Sequence, residues 1–329
     1  MEVRFFSAKG YDRESFTAAN LRHGDNTLVF LDARLDQSTV VLAEGADAVC
    51  VFVNDDLGAT VLTELARYGV RYVALRCAGF NNVDLPTAAA LGISVVRVPA
   101  YSPNAVAEHT LALILALNRH IPRAYTRVRD GNFALEGLLG FDLAGKTAGV
   151  IGTGRIGALV ARLLWHFRCR VLAYDPMPNE GLIDLGVEYV DLEQLWRESD
   201  LITLNCPLTE QTHHLVNADT ITQLKPGVMV VNTGRGALLD TTAAVEGLKT
   251  GRIGSLALDV YEEEAQLFFE DRSQEIIADD VFSRLLTFPN VLITAHQGFF
   301  TREALASIAD VTLQNLDDLA CGALCINRL

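Results

Sequence analysis

The stretch Gly149-Val150-Ile151-Gly152-Thr153-Gly154-Arg155-Ile156-Gly157 decides the fold. It follows the apolar run TAGVIG (147–152) and opens a helix-like segment over 155–168. Gly152, Gly154 and Gly157 make a GxGxxG core. In such a core the first glycine allows a tight turn, the second lets a pyrophosphate approach the backbone, and the third packs helix on strand. The anion then sits on free N–H groups at a helix start, where the helix dipole favours it. An acid stands at the expected distance: Asp175, 18 residues after Gly157, ends the run VLAYD. A carboxylate there accepts the hydroxyls of an adenosine ribose and repels a 2′-phosphate, so the implied cofactor is NAD rather than NADP. The bland alternative is a glycine turn followed by a strand-ending Asp.

Outward from this loop, short Val/Ile/Leu runs recur along the whole chain: VRFF (3–6), LVFL (28–31), AVCVFV (48–53), YVALR (72–76), SVVRV (94–98), TAGVIG, VLAYD (171–175), VEYV (187–190), LITLN (201–205), VMVVN (228–232), SLALD (255–259) and VLIT (291–294). They are near-continuous rather than alternating, as suits strands covered on both faces of a parallel sheet. Helix-like segments at 58–68, 86–91, 155–168 and 240–250 separate many of them, which implies a doubly wound α/β architecture. A boundary falls near residue 100. There Val98-Pro99-Ala100-Tyr101-Ser102-Pro103 ends a strand and starts a helix, with Ser102 as cap and Pro103 at the first helical position. That helix runs to about Asn118 and is apolar on most sides, so burial between two domains is expected. A last helix over 302–320 carries Leu305, Ile308, Ala309, Leu313, Leu316 and Leu319 as a stripe that covers a sheet.

Composition narrows the class. The chain has 329 residues, 50% hydrophobic and 21% charged, with 27 Lys+Arg against 41 Asp+Glu and a formal charge of −14. Two domains is the prior for that length. An acidic chain without a basic stripe argues against a nucleic-acid surface. No apolar stretch reaches the ~18 residues of a membrane span. The start MEVRFFSAKGYDRE has charges within its apolar segment, unlike a signal peptide. Six cysteines without a CxxC pair fit reduced thiols in a cytoplasmic protein, and no metal site is expected.

Ligands of open α/β sheets lie beyond the carboxyl ends of the strands. The polar residues just after those ends include Arg76-Cys77-Ala78-Gly79, Asp175, Asn205-Cys206-Pro207, Asn232-Thr233-Gly234-Arg235-Gly236, Asp259 and His296-Gln297-Gly298-Phe299. Hydride transfer to a 2-oxo acid needs a polarised carbonyl, a proton for the developing alkoxide, and a grip on the carboxylate. Arginine suits the first and last because its planar fork matches a carboxylate and stays charged. Histidine suits the second, and a neighbouring carboxylate holds its ring and favours the acid form. Arg235, His296 and Glu264 are the candidates. Each has a plainer reading. Arg235 can salt-bridge a loop, one of seven histidines is more often structural than catalytic, and Glu264 ends an acidic run, Glu262-Glu263-Glu264, of the kind that usually faces water.

Taken together these motifs resemble the NAD-dependent D-isomer-specific 2-hydroxyacid dehydrogenases over essentially the whole chain. The matching stretches are RCAGFNNVDL (76–85), VRVPAYSPNAVAEHTLALILALNR (96–119), GKTAGVIGTGRIG (145–157), CPLTEQTHHLVN (206–217), KPGVMVVNTGRGALLD (225–240), DVYEEE (259–264) and NVLITAHQGFFTREAL (290–305). FVNDD (52–56), LFFED (267–271) and Phe299-Phe300 are similar to the fermentative bacterial branch that reduces pyruvate to D-lactate. The resemblance implies a flavodoxin-like substrate domain made from residues 1–100 and 298–329, and a Rossmann NAD-binding domain over 101–297. It implies that Arg235 binds the substrate carboxylate and oxo group, that His296 is the acid/base, and that Glu264 supports it. The loop beginning at Arg76 is expected to present the Ala78 and Gly79 amides to the substrate carboxylate, with Tyr101 and Phe299 lining a small pocket. Arg155 and Ile156 are expected at the pyrophosphate and Asp175 at the ribose. Cys206 and Pro207 are expected near the adenosine, and Thr233, Gly234 and Asp259 near the nicotinamide. One departure is Ala295, where the family commonly has Pro before the histidine.

The implied reaction is reversible hydride transfer between NADH and pyruvate, with domain closure excluding water and a homodimer or homotetramer as the assembly. Two rivals stand beside it: a related enzyme for a larger 2-oxo acid, and a non-enzymatic NAD-sensing module of the same fold.

Overall fold

The computed structural model describes residues 1–24 and 26–329, apart from the side chain of Gln266. Among these, each of the twelve apolar runs contains a strand, and every pairing between those strands is parallel. The chain divides into two units, Met1–Ser102 with Phe300–Leu329, and Pro103–Phe299. Both are doubly wound parallel sheets, one flavodoxin-like and one Rossmann.

The first unit contains β1 (Glu2–Phe5), β2 (Thr27–Phe30), β3 (Ala48–Val51), β4 (Tyr72–Leu75) and β5 (Ser94–Arg97), in the order β2-β1-β3-β4-β5. This is the flavodoxin-like order. The central strand β3 is buried at every position, which explains its unbroken apolar sequence. Helix Gly10–His23 sends Phe16 edge-on against Phe5 of β1, with ring centroids 4.6 Å apart. Helix Arg302–Ala320 packs on that helix and on β4 and β5. Ile308, Ala309, Leu313 and Leu316 of its stripe are buried, and Thr312 and Asn315 are buried with them. Asn315 has a task there. Its Nδ2 donates to the Arg97 carbonyl, and its Oδ1 accepts from Asn327 Nδ2. The last residues then lie along the edge strand β5: Arg97 N donates to Asn327 O, and Leu329 N to Val95 O.

The second unit contains β6 (Thr147–Ile151), β7 (Arg170–Tyr174), β8 (Glu188–Tyr189), β9 (Leu201–Leu204), β10 (Val228–Asn232), β11 (Ile253–Leu258) and β12 (Val291–Ile293). Their order is β12-β11-β10-β9-β6-β7-β8, the Rossmann order with one further strand on the β11 side. The chain runs outward from β6 to β8 and then restarts at β9 beside β6, so the topological switch lies between β6 and β9. The run VEYV shrinks to two strand residues because β8 is an edge that pairs only with β7. Helix Pro103–Asn118 starts at the proline and packs on helix Arg155–His166, β10, β11 and β12. It is covered on most sides, as its apolar composition predicts: Asn104, Glu108 and Ala112 form the one exposed stripe, and Leu111 and Leu115 are half-buried. Asp191, Asn217, Asp240 and Asp279 cap later helices through their side chains, each contributing about 1 kcal/mol.

Candidate active site

In a parallel sheet all strands end on the same side, so the loops after them converge on one edge. In the second unit β6 leads into Gly152–Gly157, β7 into Asp175, and β9 into Asn205-Cys206-Pro207. The three adjacent strands β10, β11 and β12 lead into Arg235, Glu264 and His296. The glycine loop and the three candidate catalytic residues thus share one end of one sheet.

The glycine loop is built by close backbone contact. Gly152 has φ +85, and a Cβ on it would lie 2.5 Å from the Cys206 amide nitrogen. A Cβ on Gly157 would lie 1.8 Å from the Gly152 carbonyl oxygen. The two strands at the switch point can therefore bring their loops together only with glycine there. Gly154 differs. It precedes helix Arg155–His166 without a side-chain cap, and a Cβ there meets nothing within 4 Å. Gly154 and Arg155 are exposed, which leaves the first amides of this helix open to an anion. Asp175 braces the loop: Oδ2 accepts from Thr153 N at 2.6 Å and Oδ1 from Met177 N at 2.9 Å. Each oxygen keeps a further lone pair for a ribose hydroxyl. Tyr189 donates its hydroxyl to Thr153 Oγ1 at 2.8 Å. Burial pushes the Cys206 thiol up to about 11, so it stands there as a neutral, mostly apolar group. An open helix start, a braced ribose-type acid and a neutral wall together fit a dinucleotide.

His296 and Glu264 meet. His296 Nδ1 lies 2.8 Å from Glu264 Oε1, and the other carboxylate oxygen accepts from Tyr261 N at 3.0 Å. His296 Nε2 has no partner among the described residues, so it is the nitrogen able to exchange a proton with a ligand. The Phe269 ring stands 5.8 Å from the imidazole. The His296 backbone has φ 52, a left-handed conformation costing about 1–3 kcal/mol for a non-glycine residue. Asp259 holds it there. Its carbonyl accepts from His296 N at 2.7 Å, and its carboxylate accepts from Thr294 Oγ1, Gln297 N and Gly298 N, with His109 Nε2 at 3.2 Å. Burial opposes charge on this carboxylate, but these donors and His109 outweigh it and hold Asp259 below the usual carboxylate range. Its side chain is thus the anchor of the His296 loop.

Arg235 sits between two glycines. Its Nη1 donates to the Gly234 carbonyl at 2.8 Å, and no carboxylate pairs with it among the described residues, which removes the loop salt bridge as an explanation. Asn232 latches the turn by donating to the Arg235 carbonyl and accepting from Gly234 N. Thr233 Oγ1 is buried against Thr110 Oγ1 at 2.8 Å. A Cβ on Gly236 would fall 2.2 Å from the Tyr261 carbonyl carbon. That contact presses the Arg235 loop onto the turn carrying Glu264.

In the first unit the Arg76 expectation is corrected. Its guanidinium is 2% exposed, lies 3.3 Å from Asp12 Oδ1, donates to the Ser7 carbonyl, and stacks over Phe52. It supports the loop from inside instead of facing a ligand. Ala78 N and Gly79 N donate to no group among the described residues, while the Ala78 carbonyl accepts from Arg97. Tyr101 is half-buried at the end of this unit, and Phe299 is buried at the end of the other. Sequence reading passed over Glu262, whose carboxylate receives two donors from Thr241 and approaches His214. It also passed over His109, Thr110 and Phe269, and named Asn232 only among the residues that follow a strand end. His109 and Thr110 stood out as polar residues in a mostly apolar helix, and Phe269 lay in the LFFED stretch.

Residues 111–298 match the family described as D-isomer specific 2-hydroxyacid dehydrogenase, NAD binding domain. The chain belongs to the D-isomer-specific 2-hydroxyacid dehydrogenases. Within that family it is 55% identical over 329 residues, all of both chains, to the D-lactate dehydrogenase of Escherichia coli (strain K12). It superposes on the apo-structure of D-lactate dehydrogenase from Escherichia coli with a TM-score of 0.92, at 52% identity and full coverage of both chains. It is also similar to the Aquifex aeolicus D-lactate dehydrogenase complexed with NAD and lactic acid, with a TM-score of 0.86 at 34% identity, covering 97% of this chain and 96% of that one. Among the described residues no helix is long and apolar enough to cross a membrane.

Proposed function

We propose that the protein catalyses the reversible NAD-dependent interconversion of pyruvate and D-lactate. The observation that carries this reading is the 2.8 Å His296–Glu264 pair, with Arg235, which meets no carboxylate among the described residues, on a loop of the same sheet edge. When bound, the dinucleotide supplies or accepts the hydride. The open amides after Gly154, Arg155 and Ile156 hold its pyrophosphate, and Asp175 takes the ribose. The Arg235 guanidinium orients the 2-oxo acid and polarises its oxo group. Protonated His296 delivers its Nε2 proton to the developing alkoxide, and Glu264 stabilises the imidazolium before transfer. In the reverse direction neutral His296 takes the hydroxyl proton of D-lactate.

The test is NADH oxidation over pyruvate, phenylpyruvate and 2-oxoisocaproate, with chiral analysis of the product. Pyruvate is expected to have the highest kcat/KM and to yield the D-isomer. Preference for a bulkier acid moves the assignment to another member of the family. No turnover of any of the three between about pH 5 and 9 turns it to an NAD-binding module.

We further infer a homo-oligomer in a reducing, cytoplasmic setting. Helix Ile121–Arg129 has no buried residue, and Phe133, Leu135 and Leu139 beyond it are 75%, 79% and 91% exposed. An apolar stretch so uncovered suits a second copy of the chain. The six free thiols suit a compartment that keeps them reduced.

A further inference from the structure

We propose that Glu262 and His214 form a positioning pair that fixes the Arg235 loop against the turn bearing Glu264. The proposal rests on the catalytic reading above and adds two residues to it. Glu262 Oε2 accepts from both the amide and the hydroxyl of Thr241, at 2.9 and 2.7 Å. Its Oε1 lies 2.6 Å from His214 Nε2. Thr241 opens helix Thr241–Lys249, immediately after the Arg235 loop. His214 belongs to the segment that follows Cys206 and Pro207, and that segment runs along the same loop. His214 N donates to Ala237 O, Val216 N to Leu238 O, and Asp240 N to Val216 O. Glu262 itself stands two residues before Glu264, in the turn whose backbone touches Gly236. One carboxylate therefore joins the loop of the proposed substrate arginine, the turn of the proposed supporting acid, and the segment leading from the dinucleotide loop.

Two features argue for a device that sets direction rather than one that adds burial. Leu238, Leu239 and Val216 already pack these segments into the core, so the polar clamp is not needed to hide apolar surface. His214 is kept at φ 49, with His213 stacked on its ring at 4.0 Å. Such a backbone persists only where its surroundings over-determine it. Without the clamp the loops still pack, but the spacing between Arg235 and the His296–Glu264 pair loosens. Displacements near 1 Å in a reacting geometry cost on the order of 100-fold in rate.

The full chain and the variants Glu262→Ala, Glu262→Gln, His214→Ala and Glu262→Ala/His214→Ala are assayed with the 2-oxo acid that the parent reduces best. NADH affinity, melting temperature and the pH profile of kcat are measured on each. Glu262→Ala is expected to lose about 10-fold or more in kcat, with NADH affinity changed less than about twofold. Its pH profile is displaced, because Glu264 no longer sits squarely on His296. Glu262→Gln keeps an acceptor for Thr241, and its amide donates to His214 Nε2 once that ring carries its proton on Nδ1, so this variant recovers most of the loss. The double variant falls no further than the worse single one, as expected of residues that act as a unit. A parental kcat and pH profile in Glu262→Ala, or a loss that tracks melting temperature and vanishes on cooling, overturns the proposal and leaves the functional reading standing. A parent that reduces no 2-oxo acid overturns both.

Discussion

His296 is held at both ends, by Glu264 on its ring and Asp259 on its backbone, and the two supports have different consequences. Replacing the ring removes the general acid, which typically contributes 10²–10⁴-fold. His296→Ala is expected to lose about that much kcat while binding NADH normally, as stopped-flow kinetics and fluorescence titration will show. Asp259 acts on stability. Its carboxyl titrates below its ordinary value of 3.8 in the folded chain. The stabilisation it provides is therefore complete above that ordinary value and is lost as pH falls through the lower folded one. Urea midpoints of the parent and Asp259→Asn should differ most near neutrality and converge as the pH is taken below the ordinary value. A gap that stays constant on acidification would exclude this linkage. Asp259 and Arg76 also mark where sequence reading stops. Both stand at strand ends, where ligand residues are sought. Yet Arg76 pairs inward with Asp12, and Asp259 inward with His109, partners remote in the chain that leave no local mark. Glu264 was the weakest of the three candidates because it ends an acidic run, and family resemblance strengthened it. The fold turns both Glu262 and Glu264 inward onto histidines.

Strands were the most readable elements. Residues covered on both faces have to be apolar at nearly every position, and the central strands β3, β9 and β10 are buried throughout. The helix from Pro103 was placed by its proline, and its apolar composition matched its burial on most sides, with only the stripe Asn104, Glu108 and Ala112 left exposed. The turn that joins Arg235 to Glu264 could not be read at all. Gly236 looks like any loop glycine until the Tyr261 backbone is found against it. Gly236→Ala must displace one of the two loops, and overpacking of this kind costs about 1–3 kcal/mol. Calorimetry should show a melting temperature lower by about 5 °C, with kcat reduced out of proportion to the fraction unfolded. A variant with parental stability and turnover would mean that the two loops are not coupled there.

For the molecule as a whole, the parallel α/β architecture followed from strand–helix alternation, and the glycine loop identified which sheet carries the dinucleotide. Assembly left only the trace of an uncovered segment after residue 120. Analytical ultracentrifugation is expected to find a dimer or tetramer, and Leu139→Glu, which puts a charge at its most exposed apolar position, is expected to shift it toward monomer. A parent that sediments as a monomer at micromolar concentration would remove the assembly proposal. The pairing of residues 327–329 with β5, and of helix Arg302–Ala320 with helix Gly10–His23, bears on biosynthesis. The five strands made first leave the ribosome long before the helix that covers them. The seven-stranded unit is contiguous and can complete itself in the meantime, so during translation the amino-terminal sheet waits, with β4 and β5 uncovered beside helix Gly10–His23, for the final thirty or so residues.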